Sequence, residues 1–149
     1  MNVTAVTDFD LEKYLGDWYE IARYENRFER KCAGNVVARY RATKQPGRIT
    51  VENTCRKADG SMTVAKGYGK SDGGGGRLKV SFFRPFWASY WVLALDPEYR
   101  WSLVGEPKRN YLWILARTPT LDADVLEGIM AMAVEQGFDV RMLRLTPQG

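Results

Sequence analysis

Residues 18–118 break into eight strand-like stretches with a turn signal after each, and no helical period interrupts them. The stretches are 18–24, 35–43, 48–56, 62–70, 77–83, 89–95, 99–105 and 111–118. Glycine, proline and short polar residues mark the breaks: Gln45-Pro46-Gly47, Ala58-Asp59-Gly60, Ser71-Asp72-Gly73, Asp96-Pro97-Glu98 and Glu106-Pro107-Lys108. Links this short join antiparallel neighbours. An open sheet of eight strands leaves two unpaired edges, and closing it removes both. The expectation is an all-β chain of one domain over 1–149: an eight-stranded antiparallel up-and-down β-barrel.

Helix signals come at the two ends of this run. Residues 8–15 read as a short helical turn whose Phe9, Leu11, Tyr14 and Leu15 would plug one end of the barrel. After the strands, Asp122 is placed as an N-cap and Gly137 as a left-handed C-terminal residue. Between them Val125, Leu126, Ile129, Met132, Ala133 and Gln136 mark one face of a helix that packs outside the barrel. A short last strand is expected at 139–143. The glycines at 73–76 are followed by a strand and by no Gly-Lys-Ser/Thr, so they read as a turn and not a phosphate loop.

The first strand carries the most specific pattern, Gly16-Asp17-Trp18-Tyr19-Glu20-Ile21-Ala22-Arg23, with Tyr14-Leu15 before it. Leu95-Asp96-Pro97-Glu98-Tyr99 stands at the sixth turn, and Ala116-Arg117 closes the last strand. In this order these motifs resemble the three signatures of the lipocalins, and most of all the bacterial branch related to apolipoprotein D and the plant temperature-induced lipocalins. The second motif departs from the strict pattern, with leucine for the usual threonine and the tyrosine displaced. The resemblance implies structural roles for Gly16, Trp18, Asp96 and Arg117, with the Arg117 guanidinium stacked on the Trp18 indole. Such a pair gains cation–π attraction while the guanidinium caps backbone carbonyls.

The chain has no histidine. That excludes a Ser-His-Asp triad, a His-ligated haem and the common zinc hydrolase sites. Neither a metal site nor a cofactor is expected. A net charge of +4 fits an ordinary solvated surface better than a nucleic-acid arm. No run of eighteen apolar residues spans a membrane, and residues 1–4 do not read as a secretory signal. No lipid-attachment cysteine stands near Met1 either.

With Trp18 and Arg117 as anchors, period-2 alternation lists the side chains that look inward. They are Glu20, Ala22 and Tyr24; Val36, Ala38 and Tyr40; Ile49, Val51 and Asn53; Thr63, Ala65 and Gly67. The later strands add Leu78, Val80 and Phe82; Tyr90, Val92 and Ala94; Ser102 and Val104; Tyr111, Trp113 and Leu115. The many small residues among them leave room for a ligand. The loops around the mouth bring Arg27, Arg30, Arg84, Lys108 and Arg109 to a basic rim, beside Phe86 and Trp87. Such a rim holds an acidic head group or rests on an anionic bilayer, and the two aromatics could equally serve a homodimer.

Cys32 and Cys55 lie nearly opposite across the hairpin that turns at 44–47, within disulfide reach. A disulfide there implies an oxidising compartment such as a periplasm. By resemblance the chain is expected to carry a lipophilic small molecule, a fatty acid or lysophospholipid, on the periplasmic side of an outer membrane through a lipidated N-terminus. It is expected to act as a monomer or homodimer and without catalysis. Two alternatives stand: a haem or tetrapyrrole binder with Tyr24, Tyr40, Tyr90 or Tyr111 as axial ligand, and a small enzyme built on Cys32 or Cys55.

Overall fold

The chain enters its sheet through a turn that favours glycine. The structure, a computed structural model, describes residues 2–83 and 85–149. Asp10 caps the one-turn helix α1 (Leu11–Tyr14) by accepting the Glu12 N–H. Gly16 then takes φ +105°, a left-handed backbone that a side chain would strain, and starts β1 (Gly16–Tyr24). Seven antiparallel strands follow: β2 (Cys32–Ala42), β3 (Arg48–Lys57), β4 (Met62–Ser71), β5 (Arg77–Phe83), β6 (Phe86–Leu95), β7 (Trp101–Gly105) and β8 (Leu112–Ala116).

Each strand pairs with the next, and β1 pairs with both β2 and β8, which closes an eight-stranded barrel. Only the first half of β1 meets β2, in the register Gly16↔Tyr40 to Tyr19↔Val37. Its second half meets a ninth strand, β9 (Leu143–Leu145), through Ala22↔Leu145 to Tyr24↔Leu143. The last strand therefore starts later than the expected 139–143. Asp139 accepts the Arg141 N–H and caps a 3₁₀ turn over Val140–Met142, which delays the pairing.

Two turns repeat one design. Asp96 accepts the Arg100 N–H and Glu106 accepts the Asn110 N–H, and in each the fourth residue is left-handed (Tyr99 φ 58°, Arg109 φ 59°). An acid followed by proline thus folds back on its own loop, which is why both carboxylates are buried. Three hydrogen bonds from Arg100 outweigh burial and hold the Asp96 carboxyl below the usual carboxylate range.

Helix α2 (Ala123–Glu135) packs outside the barrel and ends at Gly137, φ +86°. Ile129 and Ala133 are buried, with Leu126 and Met130 against them. Val125 and Met132, expected on this face, stand exposed, so the apolar stripe is narrower than the sequence pattern and Met130 replaces Met132. Asp122 precedes the helix without a side-chain cap hydrogen bond.

The apolar interior forms two separate bodies. One fills the barrel around Tyr14, Trp18, Tyr40, Tyr90, Val92 and Val104. The other lies between the barrel wall and α2, around Ile21, Leu93, Leu103, Ile114 and Phe138. Two β-bulges decide which body a residue joins. The β1–β8 ladder shifts between Glu20 and Ala22, and the β6–β7 ladder between Val92 and Ala94. Each extra residue reverses the alternation beyond it. Ala22, Tyr24 and Ala94, expected inside, therefore join the outer body. Arg23, expected outside, is buried among groups at the barrel mouth.

Candidate ligand-binding cavity

The closed end is floored by hydroxyls. Tyr14 from α1, Tyr40 from β2 and Tyr90 from β6 meet at their oxygens, with Tyr14–Tyr90 2.8 Å and Tyr40–Tyr90 2.9 Å apart. Ser102 from β7 joins Tyr14 at 2.9 Å. Burial pushes the Tyr14 hydroxyl up to about 12 and raises Tyr40 and Tyr90 as well. Tyr40 and Tyr90 are buried at the closed end with their hydroxyls bonded to one another, which makes them poor axial ligands for a tetrapyrrole. Tyr24 lies outside the barrel with its hydroxyl on the Asp139 carbonyl, which removes it too. Val51, Val92 and Val104 pack into the same floor.

Beneath the floor, the Arg117 guanidinium lies 3.8 Å from the Trp18 ring centroid. It donates to the carbonyls of Tyr99, Asp17 and Lys13 at 3.1, 3.0 and 2.8 Å. A Cβ on Gly16 would stand 3.3 Å from that guanidinium, a second reason for glycine there. One cation thus ties α1, β1, the sixth turn and the end of β8.

Above the floor the lining changes. Ala38, Val80, Phe82 and Trp113 belong to the inner body yet are only partly buried. Ala38, Asn53 and Ala65 form one row across β2, β3 and β4, and Ala65 is exposed. Inward side chains that water reaches mark an open upper half. The Asn53 side-chain oxygen, Oδ1, is buried there without a hydrogen-bond partner. Tyr111 stacks on Trp113 with centroids 5.6 Å apart, and the exposed Phe28 approaches Tyr111.

The mouth holds a charged cluster that alternation hides. Arg23 meets Glu20 at 3.1 Å, Glu29 at 3.3 Å and Glu25 at 3.3 Å. Glu29 folds in from the loop after β1 and accepts the Trp113 indole N–H at 2.7 Å and the Asn26 amide at 3.0 Å. Burial, and then hydrogen bonding and repulsion from Glu29, raise the Glu20 carboxyl well above its ordinary value. Burial works against the Arg23 charge, but the carboxylates of Glu20 and Glu29 outweigh it and raise its pKa.

The C-terminal tail seals the wall where β1 and β2 part. The Thr146 N–H donates to the Ile21 carbonyl, and the Asn35 N–H donates to the Pro147 carbonyl at 2.7 Å. The Gln148 amide reaches both the Glu20 and Val36 carbonyls, at 2.9 and 3.0 Å. Thr146 also donates its hydroxyl to Glu20. Cys32 and Cys55 form a disulfide with Cα atoms 5.5 Å apart, which leaves neither sulfur as a thiol nucleophile. It fastens β2 where the β2–β3 ladder slips twice, between Cys32 and Gly34 and between Gly34 and Val37.

The rim differs from expectation at Arg109. Arg109 turns away to α2, where its Nε donates to the Gln136 carbonyl at 2.7 Å and its guanidinium lies over Phe138. It caps a helix end instead of facing the mouth. Arg84 lies outside the described residues. Arg27 sits over Phe28, Lys108 is exposed on its turn, and Phe86 is 75% exposed. Trp87 is half covered by Lys70, 4.3 Å from its ring.

A closed barrel, a helix behind it, and an arginine locked on the first-strand tryptophan set the context for one further finding. The model of the lipocalin-like domain family matches residues 9–148. The chain is a lipocalin. It is 46% identical to the outer membrane lipoprotein Blc of Citrobacter freundii over 144 residues, 95% of this chain and 80% of that one. It is 34% identical to temperature-induced lipocalin-1 of Arabidopsis thaliana, across 96% of this chain and 81% of that one. Among solved structures this lipocalin superposes on insecticyanin from the tobacco hornworm Manduca sexta with a TM-score of 0.80 at 19% identity. That match covers 100% of this chain and 86% of insecticyanin, a likeness of fold.

Proposed function

We propose that this lipocalin binds and carries a single-chain lipid, a fatty acid or lysophospholipid, in the upper half of its barrel. The supporting observation is the part-exposed apolar lining of Ala38, Val80, Phe82 and Trp113 above the tyrosine floor. Such a carrier works through buried area, about 0.8 kcal/mol for each methylene removed from water, and needs no catalytic group. With the Tyr40 and Tyr90 hydroxyls bonded to one another at the closed end and both cysteines in the disulfide, the lipid reading is favoured over the tetrapyrrole and thiol-enzyme readings.

The envelope is the proposed setting. The Citrobacter freundii relative is named an outer membrane lipoprotein, and the disulfide suits an oxidising compartment. Exposed Phe28, Met62 and Phe86 stand at three of the loops around the mouth, which suits contact with a lipid surface. The test is native mass spectrometry followed by lipid extraction. A fatty acid or lysophospholipid adduct supports the carrier, while a bare chain that also ignores added lipid refutes it.

A further inference from the structure

Charge is divided between two sides of the barrel. Helix α2 carries Asp124, Glu127 and Glu135 and no base, with Asp122 just before it. It packs over β1, β6, β7 and β8, on Ile21, Leu93, Leu103 and Ile114. Across the barrel lie β3 and β4. Val51, Asn53 and Ala65 point inward there, so alternation turns Met62, Val64, Lys66, Tyr68 and Lys70 outward on β4. Arg56 of β3 stands opposite Met62 in that row. Met62, Val64 and Tyr68 are 57%, 51% and 45% exposed. Arg56, Lys66 and Lys70 meet no carboxylate among the described residues, and Glu52, opposite Lys66 in the ladder, forms no ion pair there. The nearby Asp72 is taken by Lys79 at 3.7 Å. Lys70 lies 4.3 Å from the Trp87 ring centroid, which carries the row across to β6.

We propose that this outer wall docks on an anionic phospholipid bilayer, with α2 turned away from it. The docking goes beyond the carrier reading and holds whatever the barrel contains. Met62 and Val64, at the mouth end of the row, enter the boundary between head groups and acyl chains. The amphipathic rings of Tyr68 and Trp87 sit at head-group level. Arg56, Lys66 and Lys70 face the phosphates. Each cation near such a surface is worth about fivefold in affinity, so the three give roughly a hundredfold. The acids of α2 would be repelled by the same surface, which fixes the orientation. A bilayer offers an apolar boundary and phosphates side by side, as the row from Met62 to Lys70 requires.

The test is co-sedimentation of the full chain with two kinds of vesicle, phosphatidylcholine alone and phosphatidylcholine mixed equally with phosphatidylglycerol. Wild type should bind the anionic vesicles at least about tenfold more tightly at low salt, and the difference should shrink as salt is added. K66E/K70E should lose about 25-fold or more. K13E/K108E makes the same charge change on exposed residues away from this wall and should lose less than about threefold. Acetylation of wild type on anionic vesicles gives a readout that needs no variant: Lys66 and Lys70 should be spared while Lys13 and Lys108 are labelled. Equal losses in the two variants, equal binding to the two vesicles, or sparing of Lys13 and Lys108 as well overturn the assignment. Self-association that both D124K/E127K and K66E/K70E abolish, without vesicle binding, overturns the bilayer in favour of a second copy's acidic helix. A chain that carries no lipid yet shows the Lys66 and Lys70 protection refutes the carrier and supports the docking.

Discussion

Removing the disulfide gives a perturbation whose size follows from chain statistics. Cys32 and Cys55 are 23 residues apart in sequence. Closing a loop of that length in the unfolded chain removes about 11–12 cal/mol/K of entropy, roughly 3.4 kcal/mol at 25 °C. For a chain of this size, about 1 kcal/mol moves the melting temperature by roughly 2–4 °C, so C32A/C55A should melt about 7–14 °C lower. The assay is urea unfolding with near-ultraviolet circular dichroism, on the variant and on wild type with and without reductant. The slope with denaturant should change as well, because the unfolded variant exposes more surface. Hydrogen exchange should speed first in residues 32–37, where two register slips remove the ladder that would otherwise hold the strand. A loss below about 1 kcal/mol, or exchange that speeds only in distant strands, would refute the loop-entropy account.

Three further outcomes follow from groups in or beneath the barrel. Arg117→Met should cost about 2–4 kcal/mol by thermal unfolding, since it removes the ring contact and three carbonyl bonds; a variant as stable as wild type refutes the lock. The Glu20 carboxyl is raised in the folded state, so its favourable contribution is complete below pH of about 4.3 and is lost as pH rises through the folded value. Glu20→Gln should therefore flatten the decline of stability as pH rises above about 4.5, by at most about 1.4 kcal/mol per pH unit, and a difference from wild type that ignores pH contradicts it. Tyr90→Phe should cost more than Tyr40→Phe, about 1–3 against about 1 kcal/mol, because Tyr90 bonds two other phenols and Tyr40 only one; equal losses deny the shared network.

The strand count, their order and the cysteine pair were legible because turn chemistry and hairpin register are local. Pro97 and Pro107, each behind an acid, announce their turns within five residues. The inward list failed where one added residue reverses alternation, at Glu20/Ala22 and Val92/Ala94, and neither bulge has a residue type that marks it. Arg23 was lost for the same reason, although an inward Glu20 needed a counter-charge and a basic residue three positions on was the available signal. Arg109 and the tail escaped because their partners are distant in sequence. Gln136 lies 27 residues from Arg109, and Val36 lies 112 from Gln148.

The tyrosine floor also makes the barrel a gauge. From Tyr40 up to Gly34, β2 rises about 3.3 Å per residue at a tilt near 40°, which gives a well roughly 15 Å deep. An acyl chain entering from the mouth, as proposed, would halt on three buried phenols bonded to one another. Length beyond that stop must lie across the opening, where Phe28 and Phe86 stand. Under the proposed carrier function, selectivity for chain length is set by where the hydroxyls meet, and a smaller residue at Tyr90 would lengthen the scale.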